Sequence, residues 1–315
     1  MFSTNLENWS AHARGRLRRT VVYCVTIPDA RRQQWNFRKM ITDLPPRMLL
    51  GLDRLYNRHT SFRRGRGAFT RLMRWSIANL GFEPPLIHLE SGEVFEYSPE
   101  IAFDVLPTDL VLKGVFEPRE TAKIHELMRR DCVFVDVGAN IGYFSILAAK
   151  WIGPGGSVIA FEPVHAIHRL LCKNISLNQI DNVTALKLAC FSYTGQMAMT
   201  QTEDSAKSHL ATKGEAITQT VSVTTLDDFF AQRRVNRIDC LKIDTEGSDF
   251  EVIKGARRII EDFRPAILLE TDHLGRFGSS KADVLKHFES LDYSVTEMPG
   301  EHSLDWLCLP HRWSG

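Results

Sequence analysis

Two carboxylates and the short glycine loop between them form the most informative pattern in the sequence. The apolar run 133–137 contains Asp136 and leads into the loop 138–142, which contains two glycines. A second apolar run, 157–161, is followed at once by Glu162. A strand, a glycine loop and a helix, with an acid after the next strand, are typical of nucleotide-binding units, where that acid accepts hydrogen bonds from a ribose diol. We therefore predict an adenosine-containing cofactor.

The middle of the loop indicates which cofactor to expect. A dinucleotide-binding loop follows Gly-x-Gly-x-x-Gly, and its middle glycine lets a pyrophosphate approach the backbone. Asn140 stands at that position here, and its side chain fills space although asparagine tolerates the left-handed conformation. Asp136 would repel phosphates but attract an ammonium group. These residues favour S-adenosylmethionine, which has no phosphate, over NAD, and a NAD-binding Rossmann enzyme is the alternative.

We expect the loop to bind the methionine end of this cofactor and Glu162 to bind the ribose. Cys190 lies just past the third predicted strand, where it either contacts adenine or packs as a buried thiol. The complete predicted cofactor-binding set is Asp136, Gly138, Ala139, Asn140, Gly142, Glu162 and Cys190.

Three charged residues near the end of the fourth predicted strand are candidates for catalysis. Lys242, Asp244 and Glu246 lie where ligands bind in open α/β sheets, and residues 242 and 244 point to the same face of a strand. Methyl transfer to a hydroxyl requires close alignment and removal of a proton, so Asp244 is the first candidate for acceptor contact or base. Glu246 is the second candidate, and Lys242 would orient a carboxylate. The alternative is a structural ion pair with Glu246 as an acid at a helix N-terminus.

Two further groups of residues allow alternative chemistry. Oxygen ligands at neighbouring strand ends would suit magnesium, but their spacing does not require a metal and we predict none. These four residues are Asp244, Glu246, Glu270 and Asp272. The polar insertion 195–222 would line an acceptor pocket, and His209 within it is a conceivable base. A solvated loop histidine is the favoured interpretation.

Alternating strand and helix patterns place these residues in a doubly wound, mostly parallel α/β sheet of the Rossmann-like type. A hairpin is predicted at 86–97. The core strands are predicted at 133–137, 157–161, 183–189, 238–243 and 266–270, with two more near 293–298 and 305–309. The helices are predicted at 120–130, 143–151, 165–178, 249–261 and 280–291.

An ordered set of motifs between about residues 86 and 300 resembles the FkbM family of S-adenosylmethionine-dependent methyltransferases. The motifs are Gly114–Glu120, Asp136–Phe144, Phe161-Glu162-Pro163, Asn174-x-x-x-Asn178, Thr225-Leu226-Asp227 and Leu241–Gly247. The resemblance implies a class I methyltransferase fold whose last two strands form an antiparallel hairpin. It also implies O-methylation of a hydroxyl on a sugar, a glycan or another natural product.

The charge distribution divides the chain at about residue 85. Of 39 Lys+Arg and 38 Asp+Glu, residues 1–80 hold 16 and 4, which leaves 23 and 34 for the remainder. We predict a basic extension over 1–85 and a methyltransferase domain over 86–315. The extension is expected to be a solvated surface or to contact an anionic glycan or membrane, in preference to nucleic acid. A non-enzymatic module that docks through this extension is the second alternative.

The six cysteines are scattered, which predicts free thiols in a reducing cytoplasm. No run of apolar residues is long enough to predict a membrane span. The acceptor is expected to be a small molecule or a glycan. Nothing in the sequence indicates an oligomeric state.

Overall fold

The computed structural model describes residues 86–96, 110, 114–200, 208–233, 235–299 and 304–313. The predictions for the basic extension, including its contact with an anionic surface, lie outside these residues. The strands are β1 Leu86–His88, β2 Val94–Glu96, β3 Val133–Val137, β4 Ser157–Phe161, β5 Val183–Leu186, β6 Ala189–Cys190, β7 Gly195–Thr200, β8 His209–Leu210, β9 Gln219–Thr224, β10 Cys240–Ile243, β11 Ala266–Glu270, β12 Tyr293–Pro299 and β13 Leu304–Pro310. The helices are α1 Pro118–Leu127, α2 Tyr143–Ile152, α3 His165–Leu177, α4 Leu226–Ala231, α5 Asp249–Lys254, α6 Arg257–Phe263 and α7 Lys281–Ser290, with a 3₁₀ helix at Leu274–Phe277.

Seven strands form the main sheet in the order β12-β13-β11-β10-β3-β4-β5. The strands from β11 to β5 in this order are parallel, and β13 and β12 add an antiparallel hairpin at the β11 edge. Four of the five parallel strands are buried along nearly their whole length, as their continuous apolar sequences require. The predicted Rossmann-like methyltransferase fold is confirmed.

The chain reverses its direction of travel across the sheet at β3. This strand pairs with β4 on one side and with β10, more than a hundred residues later, on the other. A crevice forms at the carboxyl ends of two strands whose connections leave in opposite directions, and it is the usual ligand site of open α/β sheets. The loop 138–142 and Asp244 follow these two strands directly, so the topology brings them together.

The hairpin β1–β2 is fixed to the main body by a buried asparagine. Asn174 on α3 accepts a hydrogen bond from Glu96 N at 2.9 Å and donates one to Ile141 O at 2.9 Å. Because one amide side chain satisfies both backbone groups, it couples the position of the hairpin to that of the loop before α2.

Several elements differ from the predictions, including the helix predicted at 120–130, which is Pro118–Leu127, and the strand predicted at 238–243, which is Cys240–Ile243. The predicted helix 249–261 is two helices, since Asp227 accepts hydrogen bonds from the backbone N–H groups of Arg258 and Ile259 and so caps a new helix. The predicted strand 183–189 ends at Leu186. The insertion is not loop alone, because β7, β8 and β9 join β6 in a separate four-stranded sheet.

The described cysteines are Cys132, Cys172, Cys190, Cys240 and Cys308, and all five are free thiols. Among the helices that the structure describes, none has the length and apolar character that crossing a bilayer requires.

Candidate active site

A cavity lies at the carboxyl ends of β3 and β10, where the strand order reverses. Its lining combines the loop before α2, the strand-end acids, aromatic rings and part of the insertion. The polar and loop residues are Glu117, Gly138, Ala139, Asn140, Glu162, Cys190, Ser208, His209, Lys242, Asp244, Thr245, Glu246, Ser248, Glu270, Asp272 and His273, and the aromatic residues are Phe116, Tyr143, Phe144 and Phe161.

Positive φ angles shape the loop on the β3 side. Gly138, Asn140 and Gly142 have φ of 87°, 49° and 91°, so asparagine adopts the left-handed conformation that the sequence suggested. Gly138 is also approached closely, since a Cβ there would lie 1.7 Å from the carbonyl oxygen of Asp244. The two strand ends are therefore in direct backbone contact, and a side chain at residue 138 would separate them.

The N–H groups of this loop are largely used within the fold. Those of Gly138 and Ala139 donate to Phe161 O at 3.0 and 2.9 Å, and that of Asn140 donates to Glu162 Oε2 at 3.0 Å. A loop that binds pyrophosphate leaves such groups free for the phosphate oxygens. The side-chain oxygen of Asn140 is instead buried with no hydrogen-bond partner.

Glu162 joins the loop to the end of β4. Its second carboxylate oxygen accepts a hydrogen bond from Val164 N at 2.8 Å. Burial raises the pKa of Glu162 to about 7, although the two backbone N–H groups act in the opposite direction. Each oxygen has one donor and can accept another hydrogen bond, which a ribose diol would supply.

A buried ion pair occupies the end of β10. Lys242 Nζ donates to Asp244 Oδ2 at 2.6 Å and lies 4.7 Å from the centre of the Phe144 ring. Burial alone would lower the pKa of Lys242, but the carboxylates of Asp244, Asp136 and Glu117 raise it above its usual range. Lys242 therefore forms an ion pair with Asp244, whose side chain is 29% exposed, and this contact agrees both with a lysine that orients a catalytic carboxylate and with the structural ion pair that was the alternative.

The segment that carries Glu246 is held by groups that sequence inspection did not identify. Asp249 accepts hydrogen bonds from the N–H groups of Thr245 and Gly247 at 2.7 and 2.9 Å. Arg276 donates to the carbonyl oxygen of Glu246 at 3.1 Å, and His273 Nε2 lies 3.4 Å from its carboxylate. An acid at the first residue of a helix is the only sequence signal that marks Asp249.

The insertion contributes to the cavity through Met199, Ser208, His209 and Leu210. The favoured interpretation of His209 as a solvated loop residue is wrong, because it lies in β8, is buried and has its Nε2 3.3 Å from Glu215 Oε1. Glu215 also accepts from Arg276 at 2.7 Å, which connects the small sheet to the segment after β11.

The four acids considered as magnesium ligands do not form one group. Glu246 and Glu270 approach each other together with His273, whereas Asp244 is paired with Lys242. Burial raises the pKa of Glu270 well above its usual value, with Asp244 and Asp249 adding to the effect. The sequence analysis did not predict that His273 would join these acids.

Two predicted cofactor-binding residues do not line the cavity. Asp136 is buried and accepts a hydrogen bond from Ser145 Oγ at 2.6 Å, because its strand position directs it into the interior. A Cβ at Gly142 would meet the side chain of Leu171 at 2.4 Å, so this glycine permits packing of α2 against α3. Burial raises the pKa of Asp136, and the positive charge of Lys242 opposes that rise.

Other predicted residues occupy the cavity as expected, and Glu117 joins them. The loop residues 138–140, Glu162, Lys242, Asp244 and Glu246 all line it. Cys190 lines it too, and burial raises the pKa of its thiol well above the usual value. The sequence analysis included Glu117 only as part of a motif. The sequence signal that could have identified it is an acidic residue directly before the proline that begins a helix.

The chain is similar to known proteins over the region that contains this cavity. The family model described as the Methyltransferase FkbM domain matches residues 136–295, slightly more than half of the chain. Methyltransferase sdnD of Sordaria araneosa is 28% identical over 153 residues, which cover 38% of this chain and 59% of that protein. Methyltransferase 1 of Beauveria bassiana (strain ARSEF 2860) is 25% identical over 173 residues, 48% of this chain and 69% of that protein.

A solved structure of Methyltransferase FkbM from Methylobacillus flagellatus KT has a TM-score of 0.40 at 17% identity, covering 63% of this chain and 52% of that one. The chain matches 59% of the length of the first curated relative above. The matched residues 136–295 contain the loop, Glu162 and the Lys242–Asp244 pair. The chain belongs to the FkbM methyltransferase domain family.

Proposed function

We propose that the chain transfers a methyl group from S-adenosylmethionine to a hydroxyl of a small-molecule or glycan acceptor. The observation that carries the proposal is the cavity lined together by the loop 138–140, Glu162 and the Lys242–Asp244 pair. This cavity brings residues suited to an adenosine ligand next to the carboxylate of Asp244, which is paired with Lys242. Membership of a methyltransferase family and the names of the two fungal relatives support the reaction class.

The loop fits S-adenosylmethionine better than NAD. Its N–H groups at residues 138, 139 and 140 donate to Phe161 O and Glu162, so they offer no free donors to a pyrophosphate. The buried and unpartnered Asn140 Oδ1 can accept a hydrogen bond from an ammonium group. In this proposal Glu162 accepts hydrogen bonds from the ribose hydroxyls, and Cys190 packs near the adenine ring.

When bound, S-adenosylmethionine supplies a methyl carbon activated by a sulfonium. Asp244 would accept a hydrogen bond from the acceptor hydroxyl and would take up its proton when that oxygen is methylated. Lys242 holds the carboxylate in position, and close alignment of the reacting atoms can itself lower the barrier by roughly 7–11 kcal/mol. Glu246 borders the same space and is the second candidate for contact with the acceptor.

Calorimetry would test the cofactor first, with NAD as the control ligand. Micromolar binding of S-adenosylmethionine alone is expected, and binding of NAD in its place would refute the loop argument. Transfer of a tritiated methyl group to a panel of sugars and polyketides would then test the reaction. Asp244→Asn should lower turnover far more than cofactor affinity. Full activity in that variant would remove Asp244 from the reaction.

The charge asymmetry favours a second activity, contact of residues 1–80 with an anionic glycan or membrane surface. Those residues carry 16 Lys+Arg and 4 Asp+Glu. Sedimentation with anionic and neutral liposomes, with a gel shift on RNA in parallel, would test it. Binding that is selective for anionic liposomes and falls with salt is expected, whereas preference for RNA would replace this proposal.

A further inference from the structure

Three buried carboxylates lie close together beside the cavity. The proposed reaction assigns no role to them. Glu117 immediately precedes α1, Glu120 lies in its first turn, and Asp305 lies near the start of β13. One carboxylate oxygen of each lies within 4.8 Å of the other two. Asp305 is opposite Glu270 in the sheet register, so the group lies at the same sheet edge as the cavity.

Glu120 lacks the partners that a buried carboxylate needs. It is 1% exposed, and neither of its oxygens has a hydrogen-bond partner. An ionised carboxylate in this position is strongly unfavourable unless a cation or a proton compensates its charge. Because its oxygen is directed at the other two carboxylates, a single cation could neutralise all three.

The neighbouring lysine does not meet this need. Lys242 interacts electrostatically with Glu117, but its ammonium donates to Asp244 at 2.6 Å and it also faces Asp136. The carboxylates around Lys242 therefore outnumber the positive charge that it supplies.

The type and spacing of the donors indicate which cation would fit. Carboxylate oxygens select hard cations such as Mg²⁺ and Ca²⁺. Such ions hold oxygens at about 2.0–2.6 Å, so two oxygens bound to one ion lie no more than roughly 4–5 Å apart, and the three carboxylates are close enough to share an ion. Glu117 also has a left-handed φ of 41°, a conformation that non-glycine residues retain mainly where surrounding structure or function requires it.

We propose that Glu117, Glu120 and Asp305 bind a divalent cation of the Mg²⁺ or Ca²⁺ class beside the cavity. This site is separate from the group formed by Glu246, Glu270 and His273. The proposal does not rest on methyl transfer, since cation binding can be measured without any acceptor.

The test titrates the full-length chain, freed of metal by chelation, with Mn²⁺ followed by electron paramagnetic resonance. Competition with Mg²⁺ and Ca²⁺ identifies the preferred ion. Glu120→Gln should weaken Mn²⁺ binding at least about tenfold, because it removes one charged ligand while keeping the shape of the side chain. Glu126→Gln is the matched control, since Glu126 lies on the same helix, has a side chain that is 68% exposed, and should leave binding unchanged.

Two further measurements keep the outcome decisive. Glu117→Gln should reproduce the loss seen with Glu120→Gln, and circular dichroism checks that each variant is folded. Absence of Mn²⁺, Mg²⁺ and Ca²⁺ binding to the wild-type chain at millimolar concentration would overturn the proposal and leave shared protons as the compensation. Binding that survives Glu120→Gln but is lost in Glu270→Gln would overturn it by assigning the ion to the other group. S-adenosylmethionine affinity, measured on the same samples, reports separately on the proposed function.

Discussion

Substitution of Gly138 by alanine tests whether the two strand ends must touch for the site to form. In the wild-type structure a Cβ at this position would lie 1.7 Å from the carbonyl oxygen of Asp244 and 2.8 Å from its carbonyl carbon. Both of these are backbone atoms, so no side-chain rotation relieves the overlap. The loop and the end of β10 must therefore move apart in the variant.

The expected loss of stability in Gly138→Ala has two parts. The backbone of Gly138 has φ +87°, and the left-handed conformation costs an alanine about 1–2 kcal/mol. The Cβ and the oxygen must also separate by about 1.3 Å to reach the 3.0 Å below which real Cβ contacts essentially never fall. Overpacking of this kind costs about 1–3 kcal/mol more. We expect a total loss of about 2–5 kcal/mol in the free energy of unfolding.

Gly278→Ala is the matched control. Gly278 has φ +76°, and a Cβ added there would have no heavy atom within 4 Å, so only the conformational cost of about 1–2 kcal/mol applies. Urea denaturation gives both losses, and calorimetry gives S-adenosylmethionine affinity, which should fall at least about tenfold only in Gly138→Ala. Equal losses of stability in the two variants, with wild-type affinity in Gly138→Ala, would refute the tight contact between loop and strand.

Three other substitutions follow from the structure. Lys242→Met should destabilise the protein by about 3–5 kcal/mol at pH 7 in urea denaturation, because Asp136 stays buried without its compensating charge; a loss under about 1 kcal/mol would contradict this. Glu162 has a pKa raised by burial to about 7, so its contribution to stability is complete below pH 4.5 and is lost as the pH rises through 7. Glu162→Gln should remove that part of the pH dependence of the unfolding free energy, and an unchanged profile would count against it. Asn174→Ala should cost about 2–4 kcal/mol, since it leaves one buried N–H and one C=O without a partner, and thermal unfolding would show a loss near zero if water replaced the amide.

The sequence determined the order of the elements and the chemical nature of the site. The apolar runs at β3, β4 and β11 have the predicted bounds because a strand buried on both faces needs uninterrupted apolar residues. The Gly-x-Asn-x-Gly loop and the strand-end acids were identifiable because local geometry dictates their residue types. The fold class and the family followed from these local patterns.

Boundaries that depend on distant partners could not be predicted in the same way. The break between α5 and α6 depends on Asp227, whose carboxylate caps a helix about thirty residues later. The strands of the insertion pair with β6 and with one another, and their short polar sequences give a weak periodic signal. His209 was misjudged for this reason, since its burial is a property of the small sheet.

Within the site, the sequence determined which charged residues reach the strand ends, and the tertiary structure decided their roles. Asp136 and Asp244 both belong to strand-end motifs, yet one is enclosed in the interior and the other borders the cavity. Residue type fixes what a carboxylate can do, whereas burial and the position of Lys242 fix its charge and direction. Those two quantities arise only when β3 and β10, separated in sequence, become neighbours, so no local pattern contains them.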